Sequence, residues 1–577
     1  MKKWKKAQDA DDGAQFRGRG RFVLGVLTVC AVGLLARAVD LQFVKRDFLV
    51  DQGNSRAVRN IPMPAHRGSI VDRFHEPLAV STPVDTVWVN PNVLAEHPDQ
   101  LPRLAKVLNR DPAWLARRVT TNLDLQYLVI EKQLQPEDAE RVKALHIPGV
   151  NLRREYRRYY PAGEVTGHVL GFTGSEDQGQ EGLELAFEQM LGGEDGIKRV
   201  MQDRMGQVVD SIEIVRPPRA GEEIVTSIDL RIQYLAYREL KSAIHEYGAQ
   251  AGSVIVIDVL TGEILAMVNQ PTFNPNDRLH LEARTYRNRG ATDLIEPGSS
   301  MKPFIVATAL ASGKFSKTST VDTSPGSFQV GNKMIVDHSN LGVVDLATIL
   351  AKSSNVGISH VALALDKAAI YNTLAGVGFG QVTLSGFPGE AAGLLPPYQH
   401  WHEITTATLA YGYGVSVTPL QLAQAYATVG AMGIKRPVTF RKVEGAVAGE
   451  RVLPPEACRD LVHMLESVVS SDGTAVRAAI RGYRVAGKTG TAWQAAVGGY
   501  SQDKFTAVFA GLVPATNPRL AAVVVIDRPT VGGHQGGQVS APVFSNILSG
   551  ALRLLAVPPD DLAHVPAATL VQAAPGQ

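Results

Sequence analysis

Cysteine is almost absent from this chain: Cys30 and Cys458 are the two among 577 residues. One falls in an apolar segment and the other far downstream, which excludes an internal disulfide framework and leaves the fold to its core. Aromatic residues are sparse at 6%, and the charges nearly cancel to a net +2. No basic run interleaved with aromatics dominates the body of the chain, so no nucleic-acid partner is expected. Metal-ligand spacing is missing too. His400 and His402 flank Trp401, and His463 stands far along the chain, so we expect no metal and no cofactor.

What is present is ordinary globular composition, 45% hydrophobic and 20% charged, over a length that points to three or four domains. Residues 1–21 carry Lys2, Lys3, Lys5, Lys6, Arg17, Arg19 and Arg21, and residues 22–36 are then free of charge. A small-residue cleavage site does not follow. The spacing predicts one transmembrane anchor over residues 22–44, with Arg37 and Asp40 near its far end and the basic tail cytoplasmic. All that follows is then extracytoplasmic.

Residues 45–218 read as a β-rich pedestal with small surface helices over 97–145, ending at Pro217-Pro218. Arg153–Tyr160 is dense in Arg and Tyr; a structural arginine network or a partner-facing surface is the expectation. Residues 219–557 alternate differently. A strand and an amphipathic helix over 229–247 precede a hairpin over 253–268. Helices follow at 345–375, 405–411, 419–432 and 456–470, strands at 485–492, 505–513 and 520–527, and a last helix at 544–555. Strands at both ends with helices between predict an α+β fold, an antiparallel sheet covered by helices. The Pro- and Ala-rich tail over 558–577 is expected to be disordered.

Within that domain, Glu296-Pro297-Gly298-Ser299-Ser300-Met301-Lys302-Pro303 leads an apolar run. We expect a helix with Ser299 as its N-cap and Lys302 three residues on along the same face, a hydrogen bond from the hydroxyl. A desolvated lysine can take a serine proton, and a helix start offers N–H groups to an oxyanion. The same spacing recurs at Ser501-Gln502-Asp503-Lys504, in a stretch read as a loop. Ser353-Ser354-Asn355 falls early in the helical tract that begins near Asp345; its Ser353 can relay a proton and Asn355 can orient Lys302. Lys488-Thr489-Gly490-Thr491 sits in a strand, where Gly490 would let a substrate backbone lie alongside. Lys488, Thr489 and Thr491 offer charge and hydroxyls to a carboxylate.

Three motifs in this order resemble those of the penicillin-binding proteins, serine D,D-transpeptidases of the cell wall. Arg67-Gly68-Ser69-Ile70-Val71-Asp72-Arg73, Arg158-Tyr159-Tyr160-Pro161-Ala162-Gly163 and Gly182-Leu183-Glu184 are similar to the motifs of the class B non-catalytic, dimerisation-type domain. Phe74-His75 departs from the Asn-Gly usual there. Tyr413–Leu422, Arg287-Asn288-Arg289 and Ser540-Ala541-Pro542-Val543-Phe544 are similar to the cell-division members. The resemblance implies Ser299 as the acylated nucleophile, Lys302 as its base, Ser353 and Asn355 on the second wall, and Lys488, Thr489, Gly490 and Thr491 as the carboxylate site. It also implies an oxyanion hole from the backbone N–H groups of Ser299 and Thr491. The substrates would be peptidoglycan stem peptides ending in D-Ala-D-Ala, and β-lactams would be inhibitors. An inner-membrane protein at the division site is implied, with its catalytic domain periplasmic. The anchor, with Arg37 and Asp40 near its outer end, and the pedestal, Arg67 and Arg158 included, are expected to dock on a membrane glycan polymerase and other divisome proteins. An elongation-specific class B transpeptidase and a catalytically silent β-lactam-binding scaffold are the alternatives.

Overall fold

Strand sequences Ala251–Asp258 and Leu520–Asp527 each carry a run of four β-branched apolar residues, 254–257 and 523–526, and are buried almost throughout. Such runs suit the middle of a sheet covered on both faces. In the computed structural model, which describes residues 2–202, 208–277, 282–445, 447–496 and 499–561, they lie side by side. The sheet runs Ile264–Gln270, Ala251–Asp258, Leu520–Asp527, Gly499–Val513 and Ala486–Ala496, every pairing antiparallel. The expected α+β fold is observed. Gly511 faces Phe544 of the helix Gly536–Leu554, whereas the next residue, Leu512, faces Gly430 of the helix Pro419–Gly430. Neighbouring strand residues point to opposite faces, so the two helices cover opposite sides. Leu230–Glu246, N-capped by Asp229, packs beside Gly536–Leu554.

The tract expected to be helical over 345–375 is three helices: Leu346–Lys352, Asn355–Leu363 and Lys367–Gly376. Ser353 breaks the first from the second by adopting φ +60°, and Ser354 N-caps the second through Gly357 N–H. The Ser354 hydroxyl takes the Gly357 N–H in place of an intrahelical carbonyl, which starts a new helix there. The loop expected over 501–504 is instead part of the strand Gly499–Val513.

The chain forms two compact units, one of residues 1–65, 84–155 and 194–219, the other of 66–83, 156–193 and 220–577. Segments 66–83 and 156–193, assigned from sequence to the pedestal, thus pack within the larger unit. There Arg67 and Arg158, each 2% exposed, enclose the fully buried Glu184. Arg67 Nε lies 2.9 Å from Glu184 Oε2 and Arg158 Nε 2.6 Å from Oε1. Arg67 also reaches Glu188 at 2.6 Å, and Arg158 reaches Gly68 O at 2.8 Å. Glu188 adds acceptance for Gly179 N–H. The expectation of a docking face at Arg67 and Arg158 is therefore wrong: both are interior charges, retained because they are paired. His75 takes φ +67°, and Asp72 Oδ1 accepts the N–H groups of Phe74 and Glu76. The Phe74-His75 departure thus keeps a left-handed turn.

The smaller unit has its own core, from Val87 and Val89 through Leu104, Leu115 and Val119 to Ile130 and Ile147. Three helices, Leu101–Val107, Pro112–Thr120 and Pro136–Ala144, accompany a strand, Leu128–Leu134, that the helical patterning of 97–145 concealed. A second sheet joins Val58–Met63, Gly196–Gln202 and Val208–Arg216. Arg19–Val44 is apolar enough to cross a membrane, with mean hydropathy 2.3 and none of its most apolar stretch buried. A helix apolar on every side needs an apolar solvent, which suits it to anchor the chain in a bilayer. Arg37 Nη1 and Asp40 Oδ2 pair with each other at 2.5 Å. Of the expected disordered tail, residues 562–577 lie outside the described residues, while Asp560 accepts Arg484 N–H and Asp561 N–H donates to Gly482 O.

Candidate active site

Pro297 and Gly298 do not start an α-helix at once. Gly298, at φ +55°, begins a 3-10 turn over Gly298–Met301, and the α-helix Lys302–Ala311 follows with Pro303 in its first turn. Proline fits there because the first-turn N–H groups have no intrahelical partner. Ser299 is accordingly a residue of the turn, half-buried, and not the expected N-cap. Ser300 Oγ donates to Pro297 O at 2.6 Å, and Tyr426 O–H donates to Ser300 O at 3.0 Å, fixing the turn from both sides.

Lys302 is fully buried. Its Nζ lies 2.5 Å from Ser353 O, 2.8 Å from Asn355 Oδ1 and 3.1 Å from Ser353 Oγ. The sequence expectation was a hydrogen bond to Ser299; among the described residues the amine's hydrogen bonds go to the second motif instead. Burial first, and the neighbouring Lys488 second, hold its pKa well below the ordinary lysine value, with Asp337 opposing.

Ser353 and Asn355 reach Lys302 because of the break between their helices. The left-handed Ser353 turns its carbonyl and hydroxyl to the same amine. Sequence analysis missed what holds this turn. Asp337, just beyond the strand Lys333–Val336, accepts Asn355 N–H at 2.5 Å, Val356 N–H at 3.0 Å, and the Ser354 hydroxyl. A lone Asp after an apolar strand leaves no pattern that could have singled it out.

Lys488-Thr489-Gly490-Thr491 lies on the edge strand Ala486–Ala496 and divides between its two faces. Lys488, fully buried, puts Nζ 3.0 Å from Ser353 Oγ and 3.2 Å from Thr489 O and Oγ1. Desolvation lowers its pKa to about 7. Thr489 and Thr491 line the cleft, Thr489 Oγ1 2.9 Å from Thr474 Oγ1 and Thr491 Oγ1 accepting Gly536 N–H at 3.1 Å. Gly490 has a different reason from the one expected. A Cβ there would stand 2.6 Å from Pro297 O, so its missing side chain admits the nucleophile turn. A Cβ on Gly298 would in turn stand 3.4 Å from Thr491 N. The two backbones expected to form an oxyanion hole are neighbours.

These residues open into one cleft of about 620 Å³, lined by Ser299, Ser353, Asn355, Thr474, Thr489 and Thr491. Its rim is aromatic: Tyr413 meets Tyr411 and Tyr500 edge-on at 5.7 and 5.2 Å between ring centres. Glu296 accepts both Gly414 N–H and the Tyr500 hydroxyl at 2.9 Å, tying this rim to the nucleophile turn. Ser501 and Lys504, three apart on a strand, point to opposite faces and form no such site. Among the described residues no group of three or more His, Cys, Asp and Glu is arranged to hold a metal.

Residues 252–549 match the penicillin-binding protein transpeptidase domain and residues 62–226 the penicillin-binding protein dimerisation domain. The chain is 42% identical to the peptidoglycan D,D-transpeptidase FtsI of Escherichia coli over 94% of its own length and 93% of that protein. It is 41% identical to the probable peptidoglycan D,D-transpeptidase PbpC of Pseudomonas aeruginosa, covering 95% and 97%. Among solved structures, the transpeptidase domain of penicillin-binding protein 3 from Burkholderia pseudomallei shares 43% identity at a TM-score of 0.54, over 58% of this chain and 97% of that one. Penicillin-binding protein 3 from Mycobacterium tuberculosis, complexed with aztreonam, shares 26% at 0.68, over 86% and 98%. The chain belongs to the class B penicillin-binding proteins and is a peptidoglycan D,D-transpeptidase.

Proposed function

We propose that Ser299 is the acylated nucleophile of peptide crosslinking at the division septum and that Lys302 is its base. The observation that carries this is the bonding of Lys302. Two of its partners, Ser353 O and Asn355 Oδ1, are acceptors only. A neutral amine gives them its two N–H groups and keeps a lone pair for a hydroxyl proton, with Ser353 Oγ, 3.1 Å away, the hydroxyl already beside it. Burial beside Lys488 supports that neutral state.

Ser299 Oγ gives its proton to Lys302 and attacks the carbonyl of the penultimate D-Ala. The N–H groups of Ser299 and Thr491 receive the oxyanion. Ser353 Oγ, within hydrogen-bond reach of both lysines, passes the proton to the leaving D-Ala nitrogen. The acyl-enzyme ester then yields to the amine of an acceptor stem, whose proton returns through Lys302 as Ser299 leaves. Thr489, Thr491 and the charge of Lys488 bind the substrate carboxylate. A β-lactam acylates the same oxygen, but its leaving nitrogen stays tethered in the site.

Relatives named FtsI, together with the 413–422 and 540–544 segments, support a place in division. The basic residues before Arg19 support a cytoplasmic tail over 1–21 and a periplasmic catalytic domain over 219–557. A glycan polymerase of the division machinery would supply the strands. Incubation with a D-Ala-D-Ala donor peptide and an amine acceptor should yield crosslinked product, and peptide mapping of the trapped intermediate should place the acyl group on Ser299. An acyl group mapped to any other residue would sink the proposal.

A further inference from the structure

We infer that Asp337 is a positioning residue for acylation, holding the Ser353–Asn355 turn in place and supplying a negative charge that acts on the buried Lys302. The inference rests on Ser299 and Lys302 as nucleophile and base and goes beyond them to a residue outside the three motifs.

Three observations converge on Asp337. Its carboxylate accepts the N–H groups of Asn355 and Val356, the open end of the helix Asn355–Leu363, where a negative charge is favoured. It also accepts the hydroxyl of Ser354, whose own Oγ accepts Gly357 N–H at 2.8 Å. Ser354 is 2% exposed and cannot exchange these partners for water. Asp337 thus fixes both residues that follow Ser353, and with them the directions of Ser353 O and Asn355 Oδ1 toward Lys302.

The charges around Lys302 complete the case. The groups acting on it are Lys488, which lowers its pKa, and Asp337, which raises it. The other titratable groups lining the cleft, His338, Lys352, Tyr411, Tyr413 and His534, are exposed or aimed at the rim. A base too acidic holds the serine proton weakly, and one too basic is protonated at neutral pH. Asp337 and Lys488 pull on Lys302 in opposite directions, so removing either moves the base away from its working point.

The test uses the full chain and the second-order rate of acylation by a fluorescent penicillin as a function of pH. Asp337→Asn keeps an acceptor for the two N–H groups and removes the charge. Its acid limb, where the base becomes protonated, should move to lower pH by about one unit, with the cooperative melting transition of a folded protein retained. Asp337→Ala removes the acceptors too and should acylate at least about tenfold more slowly at every pH. An Asn variant whose acid limb stays at the wild-type pH overturns the inference. So does an Ala variant that acylates at the wild-type rate, and so does a failure of both variants to fold, which would make Asp337 structural only. Loss of labelling in Ser299→Ala is read separately, so a wrong nucleophile is distinguishable from a wrong role for Asp337.

Discussion

Lys302 and Lys488 direct their side-chain nitrogens at a single hydroxyl, Ser353 Oγ, at 3.1 and 3.0 Å. Two ammonium groups sharing one oxygen inside a protein repel strongly, so the site favours having at least one lysine neutral. This makes the pair a proton store built around one serine. It also makes the state of each lysine depend on the other.

That dependence has a sign that can be measured. Lys488→Met removes the like charge beside Lys302, so Lys302 should gain a proton more easily. The acid limb of acylation should move to higher pH, opposite to Asp337→Asn. The effect belongs below about pH 7, where Lys488 is charged. A limb displaced to lower pH, read from a pH series of penicillin acylation, would contradict the arrangement.

Ser299→Ala should abolish covalent labelling by a fluorescent penicillin, and Ser501→Ala should leave it intact. Both sequences carry the same spacing, but only Ser299 lies on a tight turn at the cleft, with a buried lysine bonded to Ser353 and Asn355 of the same cleft. Gel fluorescence of the two variants decides between them.

Gly490→Ala tests the close approach of strand and turn. The added Cβ meets Pro297 O, a backbone atom that cannot step aside alone. Displacement of Ser299 by a fraction of an ångström to about 1 Å should lower the acylation rate by about a hundredfold. Stopped-flow acylation measures this, and a rate within twofold of wild type would show that the turn can shift without loss.

Glu184→Gln should destabilise the larger unit by ~3–5 kcal/mol, because it leaves two buried guanidinium groups without their shared carboxylate. Arg158→Glu should be worse, placing a second carboxylate against Glu184, and should lose penicillin labelling together with folding. Thermal melting followed alongside labelling checks both. An Arg158→Glu variant that labels normally would restore the docking face that burial argues against.

A reporter enzyme active only outside the cytoplasm should work when fused after residue 60 and stay silent when fused before residue 20. Activity of the early fusion would reverse the orientation assigned from the basic N-terminus.

The sequence by itself determined the chemistry on offer. Ser-x-x-Lys, Ser-x-Asn and Lys-Thr-Gly name the reactive groups, β-branched runs mark the central strands, and an uncharged run behind a basic cluster marks the anchor. Local pattern could do this because each signal spans a few residues. It left Arg158 between a structural arginine network, which its burial bears out, and a docking face, and it put Arg67 on that docking face, since a charged side chain reads as exposed until its partner is known, and Glu184 is 117 and 26 residues away from them. It overlooked Asp337 for the same reason. It also gave Ser299 a helix cap and Lys302 the wrong partner, because the preferred bond of an amine depends on what surrounds it. Tertiary structure alone brought Ser353 to Lys302 and Lys488 across 51 and 135 residues. The lowered basicity of both lysines follows from that burial and from nothing local: desolvation is a property of the packed interior, and no stretch of sequence carries it.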